Sequence, residues 1–288
     1  CSYCAIPYAR GRVRSRSIES AAAEASLLAR KGVKEVVLTG IHLSSYGADS
    51  GEELLRLIRE IHGIDGIERI RLGSLEPKIV TEEFAGELSE LSKLCPHFHL
   101  SLQSGCDETL KRMNRHYTAR EYFDSVQMLR TCFEHPAITT DIIVGFPGET
   151  EAEFAQSYDF IKKIGFYQTH IFKYSKRDNT RAASMQGQIP DRIKTERSGL
   201  LSELNRENSR LFSDFYINKR VELLFEEEKE IAGRRYWIGH TRDYIKAAVS
   251  AEGDRNLSNV LAEVEIKRSL NAEMMLAETI LPGMKTFP

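Results

Sequence analysis

The sequence predicts an α/β fold: an incomplete (β/α)6 barrel over residues 1–215, followed by a small all-β barrel over residues 216–282. Three observations predict it. Short apolar runs alternate with amphipathic helical stretches through the first two-thirds of the chain, the pattern of parallel strands joined by right-handed crossovers. From Tyr216 onward the period changes to two and turn residues become frequent. Polar and Gly-rich residues fall directly after the predicted parallel strands, the face on which a barrel gathers its chemistry. A doubly wound sheet is the rival for the first part.

Taken in order, residues 18–30 read as a helix with Ser17 as N-cap and Ala and Leu along one side. Residues 34–39 form a short buried strand ended by Gly40. Helix over 51–62, strand over 69–74 and helix over 81–94 follow, then a strand over 97–103 and helical stretches over 107–113 and 118–133. An apolar strand over 139–145, a helix over 151–164 and a strand over 168–174 complete five βα units. A sixth strand is expected just before Cys1. Residues 190–215 read as one long helix, with Pro190 at its start and Ile193, Leu200, Leu201, Leu204 and Leu211 recurring along it. Strands over 221–225, 236–240, 244–249 and 260–266 are then punctuated by Gly233, Gly253-Asp254 and Asn256. That texture fits a five-stranded barrel.

Composition bounds the function. Of 288 residues, 41% are hydrophobic and 28% charged, as in a globular enzyme and unlike a disordered chain. No apolar run approaches the roughly 20 residues that span a bilayer, so no membrane association is expected. An odd count of five Cys argues against a secreted disulfide scaffold and for a reducing, cytoplasmic setting. A net charge of −2 gives no global sign of nucleic-acid binding, so any such surface is local. The chain opens on Cys1 without an initiator Met and reads as a piece of a longer polypeptide.

Cys1-Ser2-Tyr3-Cys4 carries the sharpest signal. Thiolates two residues apart bind one soft centre, a zinc ion or an iron–sulfur cluster. Zinc needs four ligands, and no second Cys-x-x-Cys or close His pair lies downstream. Further motifs sit at strand ends: Thr39-Gly40-Ile41-His42, Gly73-Ser74-Leu75-Glu76-Pro77, Gln103-Ser104-Gly105-Cys106 and Gly145-Phe146-Pro147-Gly148-Glu149. Each has a bland reading. The glycines suit simple turns, Ser74 and Glu76 suit a helix cap, Cys106 suits a small core filler, and Cys95, Cys132, His97 and His99 suit packing. Arg10, Arg12, Arg14 and Arg16 form a basic run that either is a solvated face or holds phosphates. In the β-rich tail, Arg234, Arg235, Arg242 and Lys246 are interleaved with Tyr236, Trp237 and Tyr244, a mixture compatible with phosphate contact and base stacking. Trp237 equally suits a barrel core.

Together, Cys1–Gly11, Leu38–Gly47, His99–Asp107 continuing to Arg115, and Thr140–Thr150 resemble the radical-SAM methylthiotransferase family, and the tail resembles its TRAM RNA-binding module. The resemblance implies that Cys1 and Cys4 are two of three ligands of a 4Fe–4S cluster, the third lying three residues before Cys1. It implies an S-adenosylmethionine pocket formed by Tyr3, Ile6, Thr39, Gly40, Ser74, Glu76, Gln103, Ile143 and Gly145. It implies a second 4Fe–4S cluster in a preceding domain, a tRNA substrate, and an electron donor such as a flavodoxin or ferredoxin, with the protein acting as a monomer. The Gln-Ser-Gly-Cys form and the Met113–Thr118 run look most like the MtaB branch, which methylthiolates C2 of N6-threonylcarbamoyladenosine in tRNA. The polar substituent of that nucleoside makes Arg115, His116 and Lys173 candidate substrate contacts. An isopentenyladenosine enzyme, an enzyme acting on a ribosomal-protein Asp, and a nonenzymatic RNA-binding protein with a structural metal are the other readings.

Overall fold

The computed structural model describes residues 1–251, 253 and 255–280. Its first part is a parallel α/β sheet. The strands are β1 (Glu35–Leu38), β2 (Arg69–Leu72), β3 (His97–His99), β4 (Ala137–Val144) and β5 (Gln168–Lys173). The helices are α1 (Ile6–Arg10), α2 (Ile18–Arg30), α3 (Leu54–His62), α4 (Glu82–Ser89), α5 (Asp107–Arg112), α6 (Ala119–Cys132), α7 (Glu151–Ile164) and α8 (Asp191–Asp214). β1 pairs with β2, and β3, β4 and β5 pair in sequence, all parallel. Parallel bridges Ile70↔Leu94 and Leu75↔Leu100 join β2 to the β3 region. The order therefore advances without reversal, as in a barrel. A doubly wound sheet would reverse at a switch point.

Local chemistry explains where the helices start. Ser17 and Thr81 accept from backbone N–H groups at the heads of α2 and α4. Thr118 with Glu121, and Thr150 with Glu153, form reciprocal capping boxes at α6 and α7. Gly165, left-handed at φ 63°, stops α7. Side chains of alternate strand residues point to opposite faces. Ile138, Thr140, Ile142 and Val144 of β4 are buried beneath the helices with Ile70, Phe98, Tyr122 and Phe166. Glu35, Arg71, His99, Asp141 and His170 belong to the opposite face, the barrel lumen.

The second part is a closed five-stranded barrel of β6 (Arg220–Ile231), β7 (Arg234–Thr241), β8 (Lys246–Ser250), β9 (Leu261–Asn271) and β10 (Met274–Thr279), in the order β10-β8-β7-β6-β9. The sequence pattern understates it. β6 runs six residues past the apolar stretch into Glu226–Ile231, because pairing with β7 holds that exposed, acidic half as a hairpin. β10 lacks a clean alternation and closes the barrel by parallel pairing with β8. The segment around Tyr244 is a turn, not the start of a strand. Asp254 and residues 281–282 lie outside the described residues.

The two parts meet at the N-terminal ends of β1–β3. Arg69, fully buried, donates to the Glu222 carboxylate at 3.0 Å and to the carbonyls of Glu222 and His240 at 2.8 and 2.9 Å. Arg71 donates to Glu35 at 3.0 Å and to the Arg242 carbonyl at 3.0 Å. The Tyr244 ring stacks between His97 and His240, with the Arg71 guanidinium 4.7 Å from its centroid. Burial, with Arg71 beside it, pushes the His97 imidazole down to about 3.

Candidate active site

The Cys1–Cys4 loop lies at the opposite, C-terminal ends of the strands. Ser2 is buried and ties the loop down: its N–H donates to the Met113 carbonyl at 2.8 Å, its hydroxyl to the Arg112 carbonyl at 2.9 Å, and its own carbonyl accepts from Ala182 at 2.8 Å. Tyr3 packs edge-on to Phe146, centroids 6.0 Å apart, beside Met113 and Tyr174. Burial raises the Tyr3 phenol well above its usual range. These anchors leave the thiol of Cys1 exposed and that of Cys4 partly so.

Arg115 connects this loop to the strand ends. Its Nη1 donates to Cys1 Sγ at 3.0 Å and its Nε to the Tyr117 hydroxyl at 2.9 Å. Its Nη2 lies 2.9 Å from Glu76 Oε1, yet in an orientation that makes an ion pair without a hydrogen bond. His42 Nε2 lies 3.1 Å from the same Glu76 oxygen. The hydrogen bond from His42, with Arg115 adding to it against desolvation, holds the Glu76 carboxyl below its usual range. Tyr117 is buried, which raises its phenol to about 12, and its hydroxyl is fixed on the Ser101 carbonyl at 2.6 Å. The result is a guanidinium with one nitrogen lacking an acceptor and a carboxylate, both beside the thiol loop, a set suited to a zwitterionic ligand.

Backbone geometry marks the neighbouring loops. Gln103 is buried at φ 68°, rare for a residue with a side chain; its N–H donates to the Asp141 carbonyl and its carbonyl accepts from Ile143. Gly145 sits at φ 69° with its N–H on Glu149 Oε2 at 2.5 Å. Glu149 is itself buried against Arg197 of α8 at 2.7 Å. Burial pushes the Glu149 carboxyl up, against the pull of Arg197. Gly105 has a packing reason: a Cβ there would meet Phe160 at 2.7 Å. Gly40 has none, since a Cβ would meet open space at an ordinary φ.

The predicted pocket residues divide into two groups. Cys1, Tyr3, Glu76, Gln103, Ile143, Gly145 and Arg115 surround the thiol loop. Ile6, Thr39, Gly40, Arg10, Arg12, Arg14 and Arg16 line a groove of about 830 Å³ beside the edge of β1. Ser74 is exposed, and neither it nor Glu76 caps a helix by its side chain. His116 is exposed. Several of the predicted cations have partners within the protein. Lys173 Nζ donates to Thr195 at 2.7 Å and lies 3.8 Å from Asp191, both on α8. Arg16 pairs with Glu24 and Ser20 on α2. Arg242 donates to the carbonyls of Ser92 and Leu94 at 2.5 and 2.7 Å, which makes it a bond between the two parts of the chain and not a surface cation. Tyr236 and Trp237 are buried in the barrel, unavailable for stacking. Arg234 and Arg235 are exposed, and Lys246 is partly so.

Sequence reasoning passed over Asp141, His170, Glu149 and Arg197. The first two had a signal: Thr139, Asp141 and Ile143 alternate along β4, so a lumen-facing Ile143 implies a lumen-facing Asp141. Arg197 had none, because its partner lies 48 residues away.

Parallel strands carrying a thiol pair and polar loops at their C-terminal ends define a class. The model of the radical SAM superfamily matches residues 1–161, more than half of the chain, and the chain belongs to that superfamily. Its members use S-adenosylmethionine and a 4Fe–4S cluster. Among curated relatives, the chain is 39% identical over 268 residues to the tRNA-2-methylthio-N(6)-dimethylallyladenosine synthase of Acetivibrio thermocellus, covering 92% of this chain and 55% of the relative. It is 42% identical over 236 residues to the threonylcarbamoyladenosine tRNA methylthiotransferase MtaB of Aquifex aeolicus, covering 82% and 58%. The chain thus spans a little over half the length of these relatives. Among solved structures it is similar to the radical S-adenosylmethionine methyltransferase TsrM of Kitasatospora setae, with TM-score 0.54, 21% identity, and coverage of 64% of this chain and 36% of that one. Methylornithine synthase PylB gives TM-score 0.52 at 13% identity, covering 73% and 59%. These structural likenesses speak to the fold.

The residues present fit the superfamily's cofactors. Two free thiols stand beside a buried guanidinium whose Nη2 lacks a hydrogen-bond acceptor. Thiolates suit iron, and an amino-acid carboxylate would complete Arg115.

Proposed function

We propose that this chain is the catalytic part of a tRNA methylthiotransferase that places a methylthio group on C2 of N6-threonylcarbamoyladenosine next to the anticodon. The observation that carries the reading is the Cys1–Cys4 loop held against Arg115 and Glu76, in a chain similar to relatives of that name. Cys1 and Cys4 would hold the cluster with one further thiolate. Arg115 and Glu76 would bind the carboxylate and amino group of S-adenosylmethionine. Gly40 leaves room for close approach, and the Gln103 and Gly145 turns, their N–H groups already paired within the protein, would shape the wall at its nucleoside end. When bound, the two groups supply the hydrogen-abstracting radical; the chain's own work is to orient them and exclude water.

His116 and the polar lumen suit a substituent with a carboxylate, a hydroxyl and a urea-like amide, while Arg115 is assigned to the cofactor. Arg10, Arg12 and Arg14 lie exposed beside the groove and would take tRNA phosphates. The β-barrel would act as a TRAM-like RNA-binding module through Arg234, Arg235 and Lys246. The working form would be a cytoplasmic monomer receiving electrons from a flavodoxin or ferredoxin. No described helix is long and apolar enough to cross a membrane.

A dimethylallyladenosine substrate is the second reading, because Val37, Ile41 and Phe172 are each more than half exposed near the strand ends and would suit an apolar substituent. One experiment separates the two. The complete enzyme is supplied with tRNA bearing either modification, and the methylthio product is sought by mass spectrometry. Product on threonylcarbamoyladenosine alone is expected. Product only on dimethylallyladenosine, or on a ribosomal protein, overturns the substrate assignment.

A further inference from the structure

On the lumen face lie three side chains to which the cofactor site above assigns no role. His99 ends β3, Asp141 stands in β4 and His170 in β5. Register places them together: His99 pairs with Thr139, two residues before Asp141, and Asp141 pairs with His170. One nitrogen or oxygen from each lies within 4.8 Å of the other two. His99 Nε2 is 3.4 Å from Asp141 Oδ2. Bonds of ~2.1 Å to a tetrahedral ion set ligand atoms ~3.4 Å apart, so small side-chain rotations would close the set on one ion.

Two details point to a ligand rather than to mutual hydrogen bonding. His99 Nδ1 lies 3.1 Å from Thr139 Oγ1, a contact that fixes the ring and turns Nε2 toward Asp141, as outer-shell partners do for metal-binding imidazoles. His99 Nε2 is nevertheless buried without a hydrogen-bond partner, an arrangement that costs free energy until something fills it. His170, by contrast, is exposed, so the set is open on one side.

We propose that His99, Asp141 and His170 form a second metal site, separate from the thiol loop, for one divalent ion of the zinc, cobalt or iron type. Two imidazoles and a carboxylate suit such borderline ions and not calcium or magnesium, which prefer all-oxygen shells. Three protein ligands leave coordination positions for an oxygen donor entering the lumen, water or a carbonyl or carboxylate oxygen.

The test is cobalt(II) titration of the full chain with Cys1 and Cys4 both changed to Ser, which removes the thiolates as competitors. One equivalent of Co2+ should bind with visible d–d absorption and be displaced by Zn2+. His170→Ala, whose exposed side chain carries no core packing, should weaken binding by ~100-fold or more. Thr139→Val should weaken it by ~10-fold through loss of ring orientation. A thermal melt of each variant checks that it remains folded. Absence of saturable one-equivalent binding, or unchanged affinity in folded His170→Ala, overturns the proposal.

Discussion

Buried arginines sit at both ends of the same parallel strands, and their surroundings differ in kind. At the N-terminal end, Arg69 and Arg71 donate to carboxylates and carbonyls of both parts of the chain, and Tyr244 closes over them. At the C-terminal end, Arg115 has a thiol, a phenol and an ion pair that lacks hydrogen-bond geometry, beside exposed cysteines. Native proteins satisfy nearly all buried polar groups, so an exception needs a cause. The first network holds the β-barrel against the floor of the lumen. The second is incomplete where a ligand is due. Residue type and burial are similar at the two ends, but Arg69 and Arg71 have every guanidinium nitrogen on a protein acceptor and Arg115 does not.

The contrast can be broken by mutation. The largest effect is expected at the thiols. In the complete protein, Cys1→Ala or Cys4→Ala should abolish iron and sulfide binding at this site, read by metal analysis. A variant retaining its full cluster there would remove the basis for the site.

Next comes Arg69→Met against Arg115→Met. Removing Arg69 leaves two carbonyls at the seam without its guanidinium, the half-exposed Glu222 carboxylate staying solvated, and should cost about 1–3 kcal/mol in urea denaturation. Arg115→Met should cost much less stability while weakening S-adenosylmethionine binding. Equal stability losses would erase the distinction drawn between the two ends. For the same reason, deleting the β-barrel is expected to destabilise the α/β part by exposing Arg69 and Arg71, beyond any loss of tRNA affinity.

At the cofactor end, Glu76→Ala or Gln103→Ala should weaken S-adenosylmethionine binding by about 1–3 kcal/mol, the scale of one missing polar partner. Calorimetry on reconstituted enzyme showing unchanged affinity for both would displace the pocket.

A pH comparison sharpens the picture at the seam. His97, held near 3 in the fold against 6.5 when unfolded, binds its proton better in the unfolded chain. Its contribution is complete above pH 6.5 and is lost as pH falls toward 3. His97→Phe keeps the stack on Tyr244 without this liability. Relative to the parent, the variant should gain up to about 2 kcal/mol between about pH 7.5 and about pH 5. A pH-independent difference would mean that His97 is not buried in neutral form.

The smallest effects concern the basic residues of the β-barrel. Arg234→Ala with Arg235→Ala should lower tRNA affinity and flatten its salt dependence, by a slope of about one for each phosphate no longer neutralised. Arg242→Ala should leave the salt slope unchanged and lower stability instead. The reverse pattern would restore Arg242 to the RNA surface.

Much was legible in the chain alone. α2 and α7 follow from Ser17, Thr150 and their periodic apolar residues, and both helices run as the pattern predicts. The strand-end motifs placed Cys1, Glu76 and Gln103 near one another because a parallel sheet sends all its C-terminal ends to one side. β10 was missed, since Met274–Thr279 has neither β-branched residues beyond Thr279 nor clean alternation and is a strand only because β8 and β9 flank it. The partners of the cations were not legible: Lys173, Arg16 and Arg242 look like their neighbours in sequence and differ only in what the fold sets beside them.

By itself, then, the sequence determined the α/β-then-β order, the strand-end chemistry and the thiol pair, because capping, periodicity and short motifs act over a few residues. Only the tertiary structure decided which charges are spent on structure and which face a ligand. It joined Arg69 to Glu222 across 153 positions and gathered His99, Asp141 and His170 from three strands. Those outcomes depend on partners distant in the chain, and a charge's role is set by its partner and its burial, neither of which is written at its own position.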